Sequence, residues 1–362
     1  MLPLLFLPIG FAAVADLLQR SYGCTAEEAS KAEKKMLPQQ VEGFKPERAT
    51  QNCQVLQREI GFSDAQLRKS LLRFPPLLGY RTSTILEAVT LLRTRLELSE
   101  ADMRKIVLAQ PAVLGYNFEP SLAVLQRRYG LSDVELKRMS VTFPPLLGLG
   151  FDDNVAPTCT ALQQFLGLSD DELRKVLVRR PSFLGLNFDD NVEPALRGLQ
   201  ARLQLDSSGL DDVARDEPSD ERTSCAELRR IVVGFPTIIG LSFSRNVEPS
   251  LDSLQQRLKM SDAELRALVL KLPTLLGYSW ERNVGPKLSY IQDEYGLSDD
   301  ELRQRVLKLP SLLGYSLEQR YRPRLARVRA ANLADERALS TIALSEARFG
   351  QVLQSAIDGA RC

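Results

Sequence analysis

Apolar side chains in this chain fall three and four positions apart in short runs, each beginning after a serine and stopping at a proline. Behind Ser169, for example, Leu173, Val176 and Leu177 form one stripe with charged positions between them, the spacing of an amphipathic helix. Proline closes such runs at 75, 111, 144, 181, 236, 273 and 310, because it removes a donor and clashes with the preceding turn. The leucine-rich segment that follows has room for one tight helical turn before a glycine, which supplies either a positive φ or a close approach. A second helix is predicted to open near Asn191-Val192-Glu193-Pro194 and its counterparts, where proline is tolerated in the first turn. It turns Leu196, Leu199 and Leu203 toward the core. No strand-like alternation competes with this reading.

The same punctuation recurs seven times, as FPPLLGY at 74–80, QPAVLGY at 110–116, FPPLLGL at 143–149, RPSFLGL at 180–186, FPTIIGL at 235–241, LPTLLGY at 272–278 and LPSLLGY at 309–315. Successive glycines are 36, 33, 37, 55, 37 and 37 residues apart, so the period is 37. The 33-residue step lacks four residues between Tyr116 and Pro120, and the 55-residue step carries an acidic insertion, 206–223, that reads as a surface loop. Ser63, Ser99, Ser132, Ser169, Ser224, Ser261 and Ser298 each stand three positions before Gln66, Asp102, Glu135, Glu172, Glu227, Glu264 and Glu301, which is the spacing of a capping box. Two helices and a short turn cannot bury a core alone, but stacked copies can. The fold class expected is therefore all-α: a curved α-solenoid of about 37-residue repeats, each with two α-helices and a short 3-10 turn. It occupies residues 20–353 as a single array, with an apolar segment or cap at 1–19 and a tail at 354–362. The uncharged stretch 2–15 is too short to span a bilayer comfortably and has no basic residue before it; no stable membrane insertion is expected, and a monomer is.

Composition removes chemistry rather than adding it. The chain has no histidine, which excludes Ser-His-Asp and Cys-His catalysis and the zinc motifs that need imidazole. Cys24, Cys53, Cys159, Cys225 and Cys362 are too scattered for a local thiolate site or a CxxC pair and read as buried spectators. No P-loop or Rossmann glycine motif is present. We expect neither an enzyme, nor a cofactor, nor a metal.

Charge matters through its placement. With 47 basic and 46 acidic residues the net charge is only +1, yet eleven positions before each motif glycine stands a cation: Arg68, Arg104, Lys137, Arg174, Arg229, Arg266 and Arg303. Stacking would turn this column into a stripe able to meet phosphates. The alternative is local pairing with Asp64, Glu100, Asp133, Asp170, Asp262 and Asp299, four positions earlier on the same helices. The adjacent position is also basic in the first five copies, at Lys69, Lys105, Arg138, Lys175 and Arg230, and further cations recur at Arg73, Arg179, Lys271 and Lys308. Residues 303–329 hold Arg303, Arg305, Lys308, Arg320, Arg322, Arg324, Arg327 and Arg329 against the single acid Glu318, a local charge of +7. This cluster suits several backbone phosphates; a solvated terminal cap is the other reading. Trp280 and the motif aromatics are expected to pack between repeats.

The repeated P-x-L-L-G-Y/L segment, followed by N-V-x-P and a Gly-Leu-Ser-Asp type junction, resembles the mitochondrial transcription termination factor (mTERF) family over about residues 20–353. The segment from Thr84 through Val89 departs from it in lacking the family proline. The resemblance implies a mitochondrial or chloroplast protein that binds double-stranded DNA or structured RNA and acts in transcription termination or initiation, RNA processing or splicing. A protein-binding scaffold in an organelle expression or ribosome-assembly complex is the alternative, with transcription, splicing or ribosome-assembly proteins as partners.

Overall fold

The computed structural model describes residues 14–205, 225–330 and 341–359, and there the regular structure is helical throughout. Seven repeats begin with the helices Asp64–Arg73, Glu100–Ala109, Asp133–Thr142, Asp170–Arg179, Ala226–Gly234, Asp262–Lys271 and Asp299–Lys308. Each runs into a 3-10 turn at its proline, from Pro75–Leu78 in the first repeat to Pro310–Gly314 in the last. The second helices are Thr82–Arg95, Glu119–Tyr129, Ala156–Leu166, Glu193–Leu203, Glu248–Leu258, Gly285–Tyr295 and Arg322–Ala330. This is an all-α solenoid of paired helices. Its chain divides into two compact units, Met1–Ala161 with Leu173–Gly185, and Leu162–Glu172 with Leu186–Cys362.

The serine caps do what their spacing predicts. Ser63 Oγ accepts the Gln66 N–H while Gln66 Oε1 accepts the Ser63 N–H, and the reciprocal pair recurs at Ser132/Glu135, Ser169/Glu172, Ser261/Glu264 and Ser298/Glu301. Such a cap contributes about 1 kcal/mol to its helix. Asp102 is one methylene shorter, and its carboxylate takes the Ser99 hydroxyl instead, at 2.7 Å. Ser224, the insertion 206–223, residues 1–13 and Leu339 lie outside the described residues.

The motif leucines supply the core: Leu77, Leu78, Leu114, Leu184 and Leu313 are all but inaccessible, as are Leu173, Val176 and Leu177 on the first helices. The structure also decides what the motif glycines are for. None of them has a positive φ; the left-handed glycines are Gly23, Gly61, Gly130, Gly167 and Gly296, at or near helix ends. At Gly115, Gly148, Gly185 and Gly277 the reason is close approach. A Cβ on Gly185 would stand 2.9 Å from Cζ of Phe143, and one on Gly148 2.7 Å from the hydroxyl of Tyr116. In both cases the neighbour is an aromatic ring of the preceding repeat, so the motif aromatics pack between repeats.

One element was not foreseen from the sequence. A single π-helical turn precedes the second helix in the last five repeats, at Phe151–Val155, Phe188–Val192, Phe243–Val247, Trp280–Val284 and Leu317–Tyr321. Asn187, Ser242, Ser279 and Ser316 cap it by accepting the N–H three residues on. The short second repeat has no such turn, and its second helix starts directly at Glu119. The first repeat, which is not short, has none either, its second helix starting at Thr82.

Both ends of the array are closed by helices. Val14–Tyr22 buries Val14, Leu17 and Leu18, and Glu346–Gly359 packs Phe349 and Leu353 against Leu325 and Val328. Among the described residues no helix is long and apolar enough to cross a membrane. Cys24, Cys53 and Cys159 are buried and free, and burial pushes the Cys53 thiol up to about 12 and that of Cys159 to about 11.

Candidate nucleic-acid interface

Six of the seven cations in the first basic column, all but Arg104, are bonded to the protein. Their partners are not the acids four residues earlier but the capping-box acids of the preceding repeat. Arg174 meets Glu135 at 2.7 Å, Arg229 meets Glu172 at 2.8 Å, Arg266 meets Glu227 at 2.6 Å and Arg303 meets Glu264 at 3.6 Å. At the amino-terminal end Arg68 reaches Glu28 at 2.5 Å, the acid of an extra capping box on Thr25. Where the preceding box lacks glutamate, the side chain goes to the left-handed end of the preceding second helix. Lys137 Nζ donates to the Glu97 carbonyl at 2.5 Å, and Arg104 Nη1 lies against Gly61. The Nε atoms of Arg68, Arg174 and Arg303 are buried, so these guanidiniums lie flat on the protein.

The same-helix pairing suggested by the sequence fails for a physical reason: other groups already hold those acids. Gln57, Gln126, Gln163, Gln255 and Gln292 donate to Asp64, Asp133, Asp170, Asp262 and Asp299 across the junction between repeats, at 2.7–2.9 Å. Arg95 adds a second contact to Asp133 at 3.1 Å, and Arg257 one to Asp299 at 2.9 Å. The Gln126 amide and the Arg95 guanidinium together hold the Asp133 carboxyl below its ordinary range. Glu135 is also held low, first by the Ser132 N–H and then by the Ser132 hydroxyl and Arg174.

The carboxyl-terminal cluster is for the most part paired within the protein, with Arg324 turned inward. Arg324 is 8 % exposed; it donates to the Leu344 carbonyl at 2.6 Å and the Ile342 carbonyl at 3.0 Å and pairs with Glu346 at 2.7 Å. Arg320 donates to the same strand of carbonyls, Ile342 at 2.9 Å and Leu344 at 2.7 Å, and lies over the Tyr315 ring. Arg327 pairs with Glu346, Arg329 with Glu294 and Arg322 with Glu318. Arg320, Arg324 and Arg327 fasten the segment that leads into the terminal helix. Of the cluster, Arg305 and Lys308 are left without a hydrogen bond or ion pair among the described residues.

The neighbouring column behaves oppositely. Lys69, Lys105, Arg138, Lys175 and Arg230 are all exposed, and none makes an ion pair or hydrogen bond among the described residues. Arg73, Lys271 and Lys308, in the last turn of their helices, share this state. For four of the five the cause lies one turn back, where Ala65, Ala101, Val134 and Ala226 replace the acid that would neutralise an i, i+4 partner; Lys175 has Asp171 there, and the two form no ion pair. Within the first compact unit, helix Asp64–Arg73 packs on Glu100–Ala109 and that helix on Asp133–Thr142. Lys69, Lys105 and Arg138 therefore stand on successive stacked helices, at the interaxial spacing of about 8–10 Å usual for packed helices. Lys175 holds the same register in the next repeat of that unit. The positive stripe was within reach of the sequence; what separates it from its neighbour is the partner each column finds in three dimensions.

Among the described residues no cluster of acidic or cysteine side chains could hold a metal ion, and Leu37 and Val134 alone stand out as exposed large apolar groups. The family model mTERF matches residues 31–164 and 221–350. No curated protein matches the chain.

Proposed function

The chain belongs to the mTERF family of non-catalytic, nucleic-acid-binding organelle regulators, and from that premise we propose that it grips a double-stranded nucleic acid by its phosphates along the exposed stripe of Lys69, Lys105, Arg138 and Lys175. The observation that carries this reading is the unpaired state of that column beside a paired one. Free cations on successive helices can each displace a condensed counterion, so the contact would be electrostatic and insensitive to base sequence. Sequence preference would come from groove-edge contacts or duplex shape added to it. The scarcity of exposed large apolar side chains argues against a broad protein-docking face over the described residues. Regulation of transcription or RNA processing in a mitochondrion or chloroplast is the role in which such a grip would act.

The test is a salt titration with purified protein, using a random-sequence DNA duplex and an RNA hairpin in parallel. A slope of log Kd against log [salt] corresponding to four or more phosphates is expected for at least one of them. A flat response with both would overturn the reading.

A further inference from the structure

Three second helices place a nitrogen donor at one register position; in two of them its targets are carbonyls at the end of the next repeat's 3-10 turn, and in the third, at Arg324, they are the carbonyls of Thr341, Ile342 and Leu344. Asn52, nine residues before the left-handed Gly61, donates to the carbonyls of Leu77 and Tyr80, each at 2.9 Å. Lys287, nine before the left-handed Gly296, donates to the Leu313 carbonyl and, at 2.9 Å, to Asn283 Oδ1, while its ammonium lies over the Tyr278 ring. Arg324 follows one period later. Helix ends leave carbonyls without internal partners, and these side chains satisfy them from the neighbouring repeat.

Nine residues before the left-handed Gln204 the chain has Ala195. Every other part of the Lys287 site has its counterpart: Asn191 for Asn283, Ile239 for Leu313, and Leu186 in place of Tyr278. Around Ala195 lies a cavity of about 630 Å³, lined by Leu186, Asp190, Asn191, Ala195, Ile239 and Leu241 among others. The Asn191 side-chain amide is exposed and has no partner among the described residues. Asp190 adds a carboxylate, and Arg245 on the rim is the lining's one cation.

We propose that this cavity binds an alkylammonium group, its nitrogen held by Asn191 and the carbonyl end of the Pro236–Gly240 turn and its stem laid along Leu186, Ile239 and Leu241. The same chain shows the chemistry at Lys287, supplied there in cis. Volume and lining suit a small ligand: about 300–1,000 Å³ is usual, with apolar walls and a few polar groups. Full enclosure penalises the lysine charge, and burial pushes the Lys287 amine down to about 8. The Ala195 cavity opens to solvent through the exposed Asn191 and Gly240, so a guest cation keeps part of its hydration. Two sources carry this chemistry, a free polyamine and a lysine side chain of another protein. The proposal is independent of the phosphate stripe, which lies on first helices.

Titration of the full chain with 1,4-diaminobutane, and separately with Nα-acetyl-lysine amide, should produce saturable amide chemical-shift changes confined to Asn191 and residues 239–242. Tetramethylammonium at equal ionic strength should not. Tighter saturation by the diamine assigns a polyamine, and tighter saturation by the blocked lysine assigns a protein side chain. Ala195→Lys and the neutral filler Ala195→Met should each weaken binding at least tenfold; if the lysine variant does not fold, the methionine variant decides. Shifts that never saturate, or that persist unchanged in a folded Ala195→Met protein, overturn the proposal.

Discussion

Two basic regions of this molecule invite opposite conclusions from their sequences. Residues 303–329 are the richest in positive charge, with eight cations against Glu318, whereas Lys69, Lys105, Arg138 and Lys175 are one cation per repeat. In three dimensions the order reverses. Arg320 and Arg324 are spent on backbone carbonyls, and Arg322, Arg327 and Arg329 on carboxylates, while the sparse stripe has no protein partner among the described residues. Guanidiniums with several donors are suited to stapling carbonyls and carboxylates together. A cation count therefore measures capacity for bonding, and only exposure and partner geometry tell whether a polyanion can use it.

The contrast can be broken most severely at Arg324. Arg324→Ala would strand buried carbonyls and the Glu346 carboxylate, with an expected loss of about 3 kcal/mol of unfolding free energy. Chemical denaturation would measure it, and under native conditions the folded fraction should bind duplex with unchanged affinity. A fall in affinity at intact stability would put the terminal cluster back in the interface.

The complementary variant removes Lys69, Lys105, Arg138 and Lys175 together. Its stability should stay within about 1 kcal/mol of the parent, since exposed unpaired residues contribute little. The salt slope for duplex binding should fall by about 3 to 4, readable by fluorescence anisotropy at several salt concentrations.

A smaller effect separates the two adjacent columns. A double-mutant cycle on Arg266 and Glu227, which are 23 % and 29 % exposed, should give a coupling of about 0.5–1 kcal/mol in stability. The same cycle on Arg230 with any neighbouring acid should give none.

The smallest is a pH effect. Glu135 has a folded pKa below its ordinary 4.5, so the contribution of its bonds to Ser132 and Arg174 is complete above that value and is lost as pH falls through the folded pKa. Urea midpoints of the parent should drop faster below pH 4.5 than those of Glu135→Gln, whereas parallel curves would deny the carboxylate this role.

Much of this architecture was legible in advance, because helix stripes, serine caps and prolines are local devices. The 3-10 turn followed from the shortness of the P-x-L-L-G segment. The π turn did not, since its cause is a capped backbone detour at Asn187 or Ser242 with no distinct apolar period. The basic columns were visible, but not their sorting. Same-helix pairing of Arg174 with Asp170 is a reasonable inference from spacing alone, and it fails because Gln163 from the preceding helix reaches that aspartate. The inward commitment of Arg324 was hidden for the same reason, its acceptors lying 17–22 residues downstream.

The direction of the ladder has a consequence for synthesis. Arg68, Arg174, Arg229, Arg266 and Arg303 all reach toward the amino terminus, to a glutamate in the first turn of a helix made earlier. A repeat leaving the ribosome thus meets its acceptors ready-made, and amino-terminal segments fold first during translation.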